Sequence, residues 1–475
     1  MKIFFNKNWL LILLITLAIF TRFWHLKQPA EVVFDEVHFG KFVSAYFNNE
    51  YYFDIHPPLG KMMIALSGKI LGFNPGSDFK EIGEALNEKD LFALRFLPAL
   101  FGVFFVVIIY YLLLALNISK LGSFAGAFMV LFENTILVES KFILVDMFLL
   151  CFGFAALLFF IKFQKSTGKW QTIYFICTSV LLGLAYGIKF TGLSFLGIVL
   201  LFNFVRFFKD LEFKKFVFSS FGFVLISGLT YLIFFPIHFS ILYKSGPGDA
   251  YMTASFQKTL EGNKINVDNS DEKLNTWGKI FELNKAMFGY SYGLTATHPD
   301  GSKWYEWPQM KKPVYYWVKS AEGGVRNIYL IGNPLLWLAS SLSVMIALVL
   351  LFIKKIRKKL QPEIWILIVG YCANLFPFIK ITRVAFLYHY LIALVFSILI
   401  LVLLIDRLLI SEMPDGKNKK HVLMDGKFKR KYLIFYILGL GLIFASFIII
   451  SPLTYGLFTA SELSSNYSKF INILH

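Results

Sequence analysis

Charged side chains are scarce in this chain: they make up 16% of its 475 residues, against roughly 25% in soluble globular domains. That scarcity excludes an ordinary soluble enzyme, and a count of soluble domains from length does not apply. Cysteine is scarcer still. Cys151, Cys177 and Cys372 are odd in number, lie inside apolar runs and lack metal-type spacing. They read as small core hydrophobes rather than a disulfide framework. No HExxH or other ligand-spaced pair occurs, so no metal is expected. Low-complexity stretches and repeats of about 20 to 50 residues are also missing, which disfavours solenoids and linker-joined modules. One unit spanning residues 1–475 is expected.

What the chain has in quantity is hydrocarbon, with 57% hydrophobic and 18% aromatic residues and a mean hydropathy of +0.63. A bilayer core takes about 20 mostly apolar residues per helix. Eleven such runs lie near residues 8–25, 91–116, 121–138, 142–162, 170–188, 191–208, 216–239, 331–353, 363–380, 385–405 and 432–455. The expected fold is an all-α polytopic membrane protein. Its first run is long, ends on Arg22 and lacks a small-residue cleavage site, which favours an uncleaved span over a signal peptide.

The formal charge of +17 is explained by where the basic residues fall. With Lys2 and Lys7 on the cytoplasmic side, the same side receives Lys162, Lys165 and Lys169, then RFFKDLEFKK, then Lys354 to Lys359, then the run KFKRK ending at Lys431. Short basic loops resist translocation, so the N-terminus is expected in the cytoplasm and nucleic acid is not implied as a partner. Two long segments, 26–90 and 241–330, then share the extracytoplasmic face.

The first of these contains VVFDEVHFGKFVSAYFNNEYYFDIHPPLGK, residues 32–61. Phe39, Phe42, Val43, Tyr46 and Phe47 recur at helical spacing on a segment too short to span, which predicts a helix in the membrane interface. Asp35 is placed as its N-cap, with Glu36 in the first turn. A second helix is predicted from Pro57, with Leu59, Met62, Met63, Leu66 and Ile70 on one face. Asp54 and His56 sit at its entrance.

Acids at membrane depth are costly and suggest a site. Asp35 and Glu36 point about 100° apart on a helix and cannot serve one atom in the same way; a cap with a dipole-favoured acid is the plain alternative. An Asx turn is the plain alternative for Asp54. Arg95, Glu139, Lys141, Asp146, Lys189, Lys380, Arg383, Tyr388, His389 and Tyr390 all fall at the same membrane face in this topology. Glu139 and Lys141 are expected in a loop. Acids and bases gathered at one depth suit a lipid-linked phosphate, whose developing charge Arg and Lys neutralise while a carboxylate deprotonates an incoming hydroxyl. In the second segment, Trp304, Tyr305, Trp307, Tyr315, Tyr316 and Trp317 either stack on sugar rings or form an aromatic belt. His298 is either a phosphate contact or a turn residue.

FDEVHFGKF, YYFDIHPPLGK, RFLPALFG, LVESKFILVDMFLL, HPDGSKWYEWP and FLYHYLIAL, in this order, resemble the protein O-mannosyltransferase family, which has the GT-C fold. The resemblance runs from about Arg22 to Ala393. It implies transfer of mannose, with inversion, from a polyprenyl phosphate to Ser or Thr of secreted or membrane proteins on the non-cytoplasmic face of the cell (inner) membrane, without a cofactor. It assigns Asp35 as general base and Glu36 as its support. Asp54, His56, Arg95, Glu139 and Asp146 would organise the loop or hold the acceptor. Lys141, His298, Trp304, Arg383, Tyr388 and His389 would face donor phosphate or sugar.

Two departures stand out. Lys141 occupies a position where the family more often has Arg, which removes bidentate pairing. Ile392 replaces a common Pro, implying a straighter tenth span. The second segment, with about 90 residues, is too short for the MIR insertion of eukaryotic members, which resembles a prokaryotic member and a bacterial or archaeal polyprenol. The rival enzyme is an aminoarabinose-transferase-like protein with a lipid or glycan acceptor; the YHY and SKWYEWP stretches favour a protein acceptor. A lipid-linked-sugar transporter is disfavoured, because acids lie at one face and no paired broken helices or repeats are evident. A secretion translocon is a further partner to consider.

Overall fold

The computed structural model describes residues 2–263, 272–293, 297–410 and 430–475. Of the basic run expected before the last span, residues 411–429 lie outside the described residues. Helices run α1 Lys2–Phe23, α2 Glu36–Asn48, α3 Leu59–Leu71, α4 Glu88–Ala115, α5 Lys120–Leu131, α6 Asn134–Lys141, α7 Asp146–Lys165, α8 Gly168–Ile188, α9 Leu193–Asp210, α10 Phe213–Leu232 and α11 Phe234–Ile241. They continue as α12 Ala254–Gln257, α13 Thr276–Gly293, α14 Pro334–Leu350, α15 Lys354–Leu360, α16 Glu363–Leu375, α17 Leu391–Ile405, α18 Arg430–Tyr455 and α19 Ser461–Leu474.

Among the described residues, 8 helices are long and apolar enough to cross a bilayer, or 9 if the bent pair α5–α6 is one span. Shorter apolar helices, Trp9–Phe23 and Pro334–Leu350, occupy the first and eighth expected positions. Length and composition therefore support fewer spans than the eleven expected. The third expected span is broken by 59° between α5 and α6. At the break Glu133 is fully buried; its carboxylate accepts from Ile136 N at 2.9 Å and Asn333 N at 3.0 Å. A buried helix start needs such an acceptor. Glu139 and Lys141 consequently lie inside a helix, not in the loop expected for them.

Helix α7 is almost wholly buried within the protein, whereas Phe213–Ile241 is largely exposed. Thus α7 is a central post and α10–α11 a peripheral one. Close contact is made possible by small residues: a Cβ on Gly153 would lie 2.1 Å from the Phe195 ring, so α7 and α9 approach where only glycine fits.

The fold is helical throughout its bundle, as expected, and carries one small three-stranded antiparallel sheet outside it. β1 Val314–Ala321 and β2 Gly324–Leu330 form a hairpin, and β3 Phe458–Ala460 pairs with β2. The hairpin turns at Glu322-Gly323, where Gly323 adopts φ +74°, a conformation glycine takes without steric cost. Of the aromatics read either as sugar-stacking or as a membrane belt, Tyr315, Tyr316 and Trp317 are strand residues, and Tyr316 and Trp317 are buried. The sheet also joins the two long segments: Phe34 N donates to Tyr316 O at 3.1 Å, and Trp317 Nε1 to Glu31 at 2.8 Å.

Helix α2 buries Phe39, Val43 and Tyr46 as its spacing predicts. Helix α3 buries Leu59 but turns the far end of its predicted apolar face outward. It packs Gly60, Ile64, Ala65 and Gly68 inward and leaves Leu66 and Ile70 at 60% and 73% exposure. An apolar face turned outward is what a helix in the membrane interface presents to lipid.

Candidate active site

The two long segments meet at one end of the bundle, where Tyr51 N donates to Lys244 O at 2.9 Å and Phe34 N to Tyr316 O at 3.1 Å; α7 runs from Asp146 at that end to Lys165 at the other, where Arg206 Nη1 donates to Gln164 O at 3.2 Å. At the first end lies a cavity of about 80 Å³, bordered by His56, Asp146, Lys189, Asn374, Arg383, Tyr388 and His389 among others. Asp146 opens α7, Lys189 follows the last residue of α8, and Tyr388 and His389 precede α17. Residues far apart in sequence meet here because helix ends meet here.

Asp35 stands at the entrance to α2, but its carboxylate makes no cap hydrogen bond. Among the described residues it has neither a hydrogen bond nor an ion pair. The dense surroundings push its pKa up to about 6; Asp146 and Asp54 add to the rise, and His38 and Lys189 oppose it. A carboxyl held near neutrality is matched to proton transfer.

Its neighbour Glu36 behaves differently. Fully buried, it accepts from Arg95 Nε at 2.8 Å, Arg95 Nη2 at 2.7 Å, Val33 N at 2.9 Å and Ile143 N at 2.9 Å. Both oxygens are saturated by Arg95 and two backbone amides, the arrangement of an acid that orients a cation and the backbone beside Asp35. The remaining guanidinium N–H groups of Arg95 bind the carbonyls of Pro29 and Glu31, each at 3.0 Å. This one pair ties residues 29–36 to α4 and to the α6–α7 junction.

Other acids are likewise engaged. Lys189 Nζ donates to both oxygens of Asp146, at 2.9 and 2.7 Å, and lies 5.4 Å from the Tyr388 ring centre. Asp54 is bonded to Lys61, which also donates to His56 O at 2.7 Å. Burial raises the Asp54 carboxyl, but Lys61 and His56 outweigh it and hold the group below its ordinary value. Burial drives His56 down to about 3, so its imidazole borders the cavity uncharged. Glu139 accepts from Tyr316 Oη at 2.7 Å.

Arg383 borders the cavity and has no hydrogen bond or ion pair among the described residues; burial lowers its pKa. It also borders an adjoining groove of about 650 Å³, lined in part by His298, Lys303, Trp304 and Tyr305. His298 is a turn residue, its Nδ1 accepting from Asp300 N at 3.1 Å. His389 stacks on Trp307, and Phe386 N donates to its Nδ1 at 3.1 Å. Lys141 does not join them. Its ammonium binds Trp24 O at 2.6 Å and faces Tyr455, and it does not border the cavity.

Two lysines join the site that sequence pattern alone does not mark. Lys189 reads from the sequence only as a charge at the end of a span, and Lys61 lies within a stretch whose acids and histidines draw the attention. Lys61 did carry a signal, since a lysine in the first turn of a helix opposes the helix dipole. Among the described residues, no group of three His, Cys, Asp or Glu side chains could hold a metal ion.

The sequence matches two family models: "Dolichyl-phosphate-mannose-protein mannosyltransferase" over residues 12–243 and "C-terminal four TMM region of protein-O-mannosyltransferase" over 276–472. Among curated proteins, dolichyl-phosphate-mannose–protein mannosyltransferase 3 of Saccharomyces cerevisiae is 33% identical over 62% of this chain and 40% of its own length. Protein O-mannosyltransferase 1 of Drosophila melanogaster is 34% identical over 55% of this chain and 30% of its own length. The chain therefore spans about two fifths or less of these relatives. In three dimensions it is similar to a chain of the S. cerevisiae Pmt1–Pmt2 complex bound to the sugar donor, with a TM-score of 0.88, 19% identity, and coverage of 97% of this chain and 92% of that one. It also resembles the Archaeoglobus fulgidus oligosaccharyltransferase in the apo form, with a TM-score of 0.57, 13% identity, and coverage of 96% and 57%. With the two models meeting the chain in order from its first span to its last helix, and the fold shared throughout, this protein belongs to the protein O-mannosyltransferase family and has the GT-C fold.

Proposed function

We propose that this chain transfers mannose from a polyprenyl-phosphate-mannose donor to Ser or Thr hydroxyls of proteins, with inversion at the sugar carbon. The observation that carries the mechanism is the pattern of pairing. Glu36, Asp54 and Asp146 each have a cation, Arg95, Lys61 and Lys189. The Asp35 carboxylate, which feels the charges of Asp146 and Lys189 on the cavity wall, and Arg383 on that wall have neither ion pair nor hydrogen bond among the described residues. One is a free base and the other a free cation.

In the proposed step Asp35 takes the proton of the acceptor hydroxyl as its oxygen attacks the anomeric carbon. The bond from that carbon to the phosphate oxygen breaks, and the polyprenyl phosphate leaves with one more negative charge. Arg383, assisted by Lys189 and by neutral His56 and His389, stabilises that charge. Tyr388 and Trp304 flank the sugar and lipid side. Because the cavity lies opposite the basic loops, we assign the reaction to the extracytoplasmic face.

The test uses purified protein, radiolabelled polyprenyl-phosphate-mannose and a Ser/Thr peptide, beside Asp35→Asn. Wild type is expected to label the peptide and the variant not to. Equal labelling by both would remove Asp35 as the base; label on a lipid acceptor alone would replace the protein acceptor.

A further inference from the structure

Lys61 is the third residue of α3, where the helix dipole disfavours a cation. Its side chain is nonetheless sealed inside the protein, with 2% exposure. A buried ammonium is costly unless its protons are bonded. Here one goes to the Asp54 carboxylate and another to His56 O at 2.7 Å, while the rings of Phe42 and Tyr52, themselves stacked at 4.6 Å, each lie 5.9 Å away. The lysine thus closes the turn from Asp54 to Pro58 from inside.

The same turn carries His56 to the cavity wall. Gly60, one residue before the lysine, supplies the second constraint: a Cβ there would lie 2.7 Å from Val145 Cγ1. The first turn of α3 is therefore pressed against the residue preceding Asp146, and Lys61 sets how the turn meets that contact. Nothing else among the described residues donates a hydrogen bond to the His56 carbonyl.

We propose that Lys61 is a positioning residue for donor binding: by holding Asp54 and the His56 carbonyl together it fixes His56 against the cavity that takes the lipid-linked phosphate. This rests on the reading of that cavity given above. The lysine itself touches no substrate.

Lys61→Met alone strands a buried carboxylate and is expected to unfold part of the protein. The informative variant is therefore Lys61→Met with Asp54→Asn, which removes both charges together. The full chain is purified in detergent, and its affinity for polyprenyl-phosphate-mannose is measured alongside its thermal midpoint. The double variant is expected to melt within a few degrees of wild type and to bind the donor about tenfold more weakly, whereas Lys61→Arg stays within about threefold of wild type. The proposal is overturned if the double variant binds as wild type does, or if affinity merely follows the thermal midpoint through the series. Wild type that binds donor but transfers nothing to peptide would sink the transferase reading and leave the role of Lys61 standing.

Discussion

Neighbouring acids at the start of one helix have opposite fates. Among the described residues the Asp35 carboxylate has no hydrogen bond or ion pair, whereas that of Glu36 is consumed by Arg95 and two backbone amides. A base must lose its proton to work, and the raised Asp35 pKa of about 6 places that loss just below neutrality. The rate of transfer at limiting substrate is therefore expected to fall as pH drops through about 6, and to be independent of pH just above neutrality; a flat profile down to pH 5 would contradict it. Arg383 gives a separate expectation. Arg383→Met should raise the donor KM at least about tenfold, with Lys intermediate because it offers charge without a planar fork. Steady-state kinetics with the peptide held saturating would reveal an unchanged donor KM if that assignment were wrong.

Helix termini, not helix interiors, build the site. The sequence made α2 and the acids visible, because period and residue type are local properties. It did not reveal which of two adjacent acids turns inward, since that is decided by Arg95, 59 residues away. Nor did it pair Asp146 with Lys189, 43 residues apart, or show that Lys141 turns away to Trp24. The β1–β2 hairpin was legible in principle, from an alternating run either side of Glu322-Gly323-Gly324, but its aromatics answered equally well to a membrane belt. Two element-scale outcomes follow. Arg95→Met leaves Glu36 buried without its cation and should cost about 3–5 kcal/mol, read as a lower thermal midpoint with loss of detergent-stable protein. Gly60→Ala should impair packing against Val145, and Val145→Ala in the same chain should recover part of the loss; no recovery would mean that the contact is not the cause.

At the scale of the whole molecule, the bundle has a polar working end and a basic end. This polarity was legible from lysine placement alone, whereas the number of spans was not, because α5–α6 breaks and α1 and α14 offer only short apolar helices. Sidedness has a direct check in a chain whose three cysteines are replaced. Lys303→Cys should react with a membrane-impermeant maleimide on intact cells, and Lys355→Cys only after permeabilisation. The opposite pattern would invert the proposed topology.

The sheet at the working end imposes an order on biosynthesis. β2 pairs with a strand that includes Thr459, whose hydroxyl binds Val325 O from 134 positions later in the chain. While the ribosome makes the intervening residues, the five helices α14 to α18 must find their places, and one edge of the hairpin waits unpaired. An open edge is a template for the wrong strand. The nascent protein thus passes through a period in which its working end is assembled but unsealed, and arrest of translation in that window would release a chain prone to pairing with its own copies.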